Sequence, residues 1–348
     1  MPTYYVANYG SNSNNGTSPA TPWLTIQFAL GAASGTNPGL VAGDTVWIAP
    51  GTYREVITST TLTGSAGNTI KIYGDPTFTR AWTAGNAGRV RLTNYVSDTA
   101  VPTGSQTLAI IGDYVELQDL CIDGAPTGSV TGNVITEACL FLRGGNLSVT
   151  KCVIQTLNTS RQIGVEWYCV TGKKTFTLDR CVIFASFCLW NEIGSQTATY
   201  DVDTTIKDCL IISTSADFAI VVQAASANQV TGARLYNNTV FTNNVGLTLN
   251  NIGQVSGASV ELRNNYINGG RGVGVSSNAS ITITQSNNTV IGATTFSNIS
   301  PTTNNVVSPM FDFASSRLQQ FGALPFLSPA FGSPLIGAGT STGAPTVD

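Results

Sequence analysis

Apolar and polar residues alternate along this chain in short runs that break at a polar corner and then resume. "VELRNNYING", Val260 to Gly269, is one such stretch: an alternating run, two asparagines, then a second short apolar run. The arrangement recurs in "VELQDLCIDGA", "LSVTKCVIQTL", "FTLDRCVIFAS", "TTIKDCLIIST", "ARLYNNTVFTN" and "ITITQSNNTVIGA". A period of two marks strands rather than helices. Aligned on the Cys or Asn that follows the corner, the segments are anchored at Cys121, Cys152, Cys181, Cys209, Asn238, Asn265 and Asn288. The anchors are 31, 29, 28, 29, 27 and 23 residues apart. A third short strand follows after a loop of variable length, as in "ACLFLR", "VEWYCV", "CLWNEI" and "AIVVQA".

Three short strands per repeat, at a repeat length in this range, predict one coil of a parallel β-solenoid. Coils stack at strand spacing, about 4.8 Å, and alternation sends one set of side chains into a continuous core. Each anchor then points inward at the same corner of its coil. Asparagine there can bond the corner backbone and its counterparts above and below, because its amide both donates and accepts. Cysteine, small and tolerant of burial, takes its place in the first four coils. Cys139, Cys169 and Cys188 fall in third strands and are expected to be packing residues.

Composition narrows the functional classes. Charged residues are 10% of the chain, the apolar fraction is 42% and the net charge is −3. That apolar share argues against disorder, and the absence of a basic footprint excludes nucleic acid as a partner. There is no histidine, so the commonest general base and metal ligand is missing. Seven cysteines without a C-x-x-C pair argue against a disulfide framework and structural zinc. No metal or cofactor is expected. "MPTYYVANYG" carries neither a basic nor an apolar leader region, and "CVIFASFCLW" is too short to span a bilayer. No membrane is expected, and release by cell lysis would fit.

The opening, "YYVANYGSNSNNGTSPATPWLTIQFAL" followed by "GDTVWIAPGTYRE", resembles the start of the pectin-lyase-like right-handed parallel β-helix superfamily. The end, "SPLIGAGTSTGAP", resembles the closing segment of many such chains. The resemblance implies one all-β domain over residues 1–348, a right-handed parallel β-helix. A cap and first strand would occupy 1–50, coils 51–300 and a closing segment 301–348. "TPWLTIQFALGAA" carries apolar residues at helical spacing and is expected to form a short amphipathic helix covering the open N-terminal end.

The superfamily hosts many functions, so chemistry must come from side chains. Its galacturonan hydrolases need a Gly-His-Gly segment that a histidine-free chain lacks, and no pectate-lyase signature is present. "DVDTT", with Asp201 and Asp203, reads as a surface loop. The third strands are more informative. Leu140/Leu142, Val165/Trp167, Leu189 and Ile220/Val222 point inward. Phe141/Arg143, Glu166/Tyr168, Trp190/Glu192, Val221/Gln223 and Thr248/Asn250 point outward. Phe141, Arg143, Tyr168, Trp190, Gln223 and Asn250 thus form a candidate glycan-binding face. Glu166 and Glu192, one coil and two residues apart, stand roughly 8 Å from each other. That suits the acid and base of an inverting glycosidase.

Two functions follow. The first is a non-catalytic adhesive or structural protein on a virion or other extracellular surface. It would be a homo-oligomer, a trimer by resemblance, with cell-surface polysaccharide and capsid or tail proteins as partners. The second is a polysaccharide-degrading enzyme acting through Glu166 and Glu192. The first is favoured, because any β-helix exposes such a face.

Overall fold

A computed structural model describes residues 1–31, 39–59, 62–97, 106–124, 138–156, 162–169, 172–193, 200–214, 218–223, 229–242, 245–250, 259–268, 271–276, 282–291, 294–297 and 306–308. They build a parallel β-solenoid whose three sheets hold ten, nine and ten strands. One turn shows the plan. Leu147–Thr150 lies in the first sheet, Val153–Thr156 in the second and Ile163–Cys169 in the third. Gly172–Asp179 then stacks on Leu147–Thr150 and begins the next turn. The pairings between turns are parallel and in register, so each strand bonds the turns above and below it.

Alternation decides what faces the core. In the first sheet Val149, Leu178, Ile206 and Leu235 are buried in a column, while Thr150, Asp179, Lys207 and Tyr236 form the outward column beside it. A single apolar cluster runs from Val6 to Val290 through the coil. Burial of this kind contributes about 25 cal/mol per Å² of apolar surface, which makes the core the main stabilising term.

The corner between the first and second sheets is one left-handed residue. Asp119, Lys151, Arg180, Asp208, Asn237, Asn264 and Asn287 have φ between 51° and 56°. Each non-glycine residue there costs about 1–2 kcal/mol, least for Asn and Asp. The turn nevertheless leaves no amide stranded, because Lys151, Arg180, Asp208 and Asn237 donate their backbone N–H to carbonyls of the next coil at 2.9–3.0 Å.

Directly after this corner runs an internal ladder. Asn238 Nδ2 donates to Asn265 Oδ1 at 3.0 Å, and Asn265 Nδ2 donates to Asn288 Oδ1 at 2.9 Å. The same Nδ2 atoms also reach the carbonyls of Ile206 and Leu235 at 2.8 Å. Lower in the coil, thiols take over both roles. Cys209 Sγ accepts the backbone N–H of Cys181 at 3.4 Å, and Cys181 Sγ donates to the Val149 carbonyl at 3.4 Å. The column begins differently from the sequence alignment. Cys121 pairs with Val153 rather than Cys152, so Leu120 holds the first ladder position and Cys121 faces the other way. The corner keeps a constant length, and aligning cysteine on cysteine had inserted a residue into it.

The amphipathic helix expected at the N-terminus is a single turn, Ile26–Ala29. Thr25 caps it by accepting the Phe28 N–H, and Gly31, at φ 72°, ends it. The Glu55 carboxylate takes the Ile26 and Gln27 N–H groups at 3.1 and 2.8 Å. Trp23, Ile26 and Leu30 join the main core. Apart from strand Val306–Ser308, the expected closing segment lies outside the described residues.

Candidate functional site

The third sheet enters each turn through a corner of small residues. Cys139, Gly164 and Cys188 stack there, between register pairs Ala138–Ile163–Phe187 and Leu140–Val165–Leu189. A Cβ on Gly164 would meet Ile183 Cγ2 at 2.9 Å and the Cys188 carbonyl at 3.0 Å, which leaves room only for glycine. Burial pushes the Cys188 thiol up to about 12 and the Cys139 thiol well above its ordinary range. Both are therefore packing groups rather than nucleophiles.

Beyond this corner the strands alternate. Leu140, Val165, Leu189 and Ile220 point into the core, as do Leu142 and Trp167. The next column reads Phe141, Glu166, Trp190 and Val221 and faces out, with the Thr248 backbone in register beside Val221. Two residues along, Arg143 and Tyr168 form a second outward column, and the Glu192 backbone pairs in register with Tyr168. Glu166 and Glu192 thus lie on neighbouring coils, two residues apart in register. The side chains of Glu192, Gln223, Thr248 and Asn250 are outside the described part of the structure.

Exposure departs from the simple open face expected. Glu166 is 2% exposed and Val221 1%. The period of two places Glu166 outside the core, but rings stand beside it on both neighbouring rungs, Phe141 on one and Trp190 on the other. Those rings belong to a second apolar cluster with Ala138, Ile163 and Phe187, and Trp190 meets Phe187 edge-on at 5.8 Å between centroids. The carboxylate is therefore set in an aromatic wall. Arg143, exposed, holds its guanidinium 5.6 Å from the Tyr168 ring. The Trp190 indole N–H is buried and finds no acceptor among the described residues.

Other candidate chemistry resolves into scaffold. Asp203 lies in strand Tyr200–Lys207 rather than a loop and pairs with Arg234 at 3.0 Å. Among the described residues no three His, Cys, Asp or Glu side chains come together to hold a metal, and no helix is long and apolar enough to cross a membrane. Two features escaped the sequence reading. Asn191 sits at an inward position between Trp190 and Glu192, a polar residue out of phase with its strand's period. Asp75 gathers a loop that lays Arg80 over Trp47, 3.6 Å from the ring centroid.

No protein-family model matches the chain, and no curated protein matches it. Solved structures do. A pectate lyase, Pel9A, superposes with a TM-score of 0.56 at 14% identity, over 90% of this chain and 83% of that one. A rhamnogalacturonan lyase gives 0.40 at 13% identity, over 83% and 87% of the two chains. A pectin methylesterase in complex with a hexasaccharide gives 0.39 at 12% identity, over 77% and 79%. The first of these likenesses shows a shared fold, the right-handed parallel β-helix.

Proposed function

We propose that this right-handed parallel β-helix binds an extended polysaccharide along the outer face of its third sheet. The observation that carries the reading is the pair of part-exposed outward rings on neighbouring coils, Trp190 and Tyr168, two residues apart in register. A sugar offers what such a surface needs: C–H faces to pack against the rings and hydroxyls to accept from an exposed donor. Phe141 extends the aromatic surface on the coil beyond Tyr168, and Arg143 on that same coil supplies an exposed charged donor. Glycan-array binding of the full chain tests this. Trp190→Ala is expected to lose at least tenfold in affinity for the glycan retained, and equal binding by both proteins would refute the site.

The register favours one second reading, catalysis. Glu166 stands opposite Trp190 and Glu192 opposite Tyr168. One coil rise and two residues separate their backbones by roughly 8 Å, a spacing from which two carboxyl groups can reach the band of about 6.5–9.5 Å that inverting glycosidases use. The fold's occurrence in a pectate lyase is compatible with such chemistry and does not establish it here.

A further inference from the structure

Inside the coil, at the corner where the third sheet hands over to the first, Trp167 and Phe176 fill one turn with two rings whose centroids are 5.0 Å apart. One turn further on, Asn191 stacks in register on Trp167, and Thr204 stacks on Phe176. One turn beyond that, Val222 and Ala233 occupy the same two columns. All six side chains are at 0% exposure. Two short polar side chains therefore occupy a level of the core that is rings below and aliphatic above.

Neither polar residue is satisfied. Asn191 Nδ2 donates to the Trp167 carbonyl at 3.4 Å, but among the described residues Asn191 Oδ1 has no partner, and neither has Thr204 Oγ1. A buried oxygen without a hydrogen bond costs about 1–3 kcal/mol, so two at one level are a large penalty where the levels above and below are apolar or aromatic. They do not bond each other, and two unbonded oxygens in neighbouring columns of one turn are a setting in which a water can bridge. Asn and Thr are smaller than the two rings one turn below, and the two oxygens supply two of the two to four partners a buried water takes.

We propose that this level of the core is a binding site for an ordered internal water, which donates to Asn191 Oδ1 and bonds the Thr204 hydroxyl. The site lies behind Trp190 but does not depend on any ligand there. It makes Asn191 and Thr204 a coupled pair joined through solvent, between a level of two rings and a level of two aliphatic side chains.

Thr204→Val keeps the shape of the side chain and removes its hydroxyl, so the sign of its effect separates the two cases. With a water present, the variant strips that water of a partner and the melting temperature falls by a few degrees. With none, the variant removes an orphan hydroxyl and the melting temperature rises or stays level, which overturns the proposal. Asn191→Val and the double variant close a cycle, in which a shared water gives a double loss clearly smaller than the sum of the singles. Independent effects that simply add count against it. Should the variants fold poorly, the full-length protein still answers: water-relaxation dispersion detects long-lived internal waters, and a high-resolution crystal structure shows density, or none, between Oδ1 and Oγ1.

Discussion

Asn265 donates to Asn288 Oδ1 twice, from its side-chain amide at 2.9 Å and from its backbone N–H at 3.0 Å. Its own Oδ1 receives the same two bonds from Asn238, and its Nδ2 also holds the Leu235 carbonyl. Asn265→Leu would fit the apolar surroundings yet strand two donors of Asn238 and one carbonyl. The expected cost is roughly 2–5 kcal/mol in urea unfolding, since buried groups left unbonded bear the full desolvation penalty. Asn265→Cys should cost clearly less, because Cys209 accepts and donates at the equivalent position. Equal losses for Leu and Cys would show that the thiols below do not substitute for the amide.

This ladder also marks what the sequence could and could not reveal. Periodicity identified the three strands per coil and the inward phase of residues such as Val165, Trp167 and Ile220, because a period of two is imposed by the pleat itself. It misplaced Cys121 by one position, because residue identity was allowed to outweigh corner length. It put Glu166 on the correct side of the strand but not in its surroundings. Burial outside the core depends on what neighbouring rungs carry, here Phe141 and Trp190, and no single strand's pattern contains that. The N-terminal helix shrank to one turn because Thr25 starts it and Gly31 stops it, signals shorter in range than the apolar spacing that suggested it.

The left-handed corners give a second test. Lys151 sits at φ 53° on the surface, with its N–H bonded to the Asp179 carbonyl. Lys151→Val places a β-branched side chain in that conformation and should lower stability by about 1–2 kcal/mol. Lys151→Asn, the residue type used at positions 237 and 264, should stay within about 0.5 kcal/mol of the parent. Thermal unfolding of the two variants reads the difference, and a Val variant as stable as the Asn one would mean that the corner relaxes.

Asp75 predicts a pH dependence. Burial alone pushes its carboxyl up, but hydrogen bonds from Thr79, Trp82 and Arg80 outweigh it and hold the group below its ordinary range, within a set of five donors. These are the N–H groups of Thr79 and Arg80, the Trp82 indole, and the hydroxyls of Thr77 and Thr79. A depressed value in the folded state means that the ionised form is stabilised by folding. That contribution is complete above the unfolded pKa, about 3.9, and disappears as pH falls through the folded value. Asp75→Asn should therefore melt below the parent at pH 7, and the gap should narrow below about pH 4. A gap that stays constant down to pH 3 would remove Asp75 as its cause.

The catalytic reading of the third sheet makes the sharpest demand. An acid and a base acting as a pair require both carboxyls, so Glu166→Gln and Glu192→Gln should each lower turnover of a bound polysaccharide by about 10²–10⁴. Binding of that glycan should persist in both variants, because stacking on Tyr168 and Trp190 does not use the carboxylates. Trp190→Ala should show the opposite pattern, with weakened binding at whatever turnover remains. Reducing-end release measured beside affinity separates the outcomes. A parent protein that binds glycan without cleaving it would leave the adhesive function alone standing, with Glu166 serving as a hydrogen-bonding group in the aromatic wall.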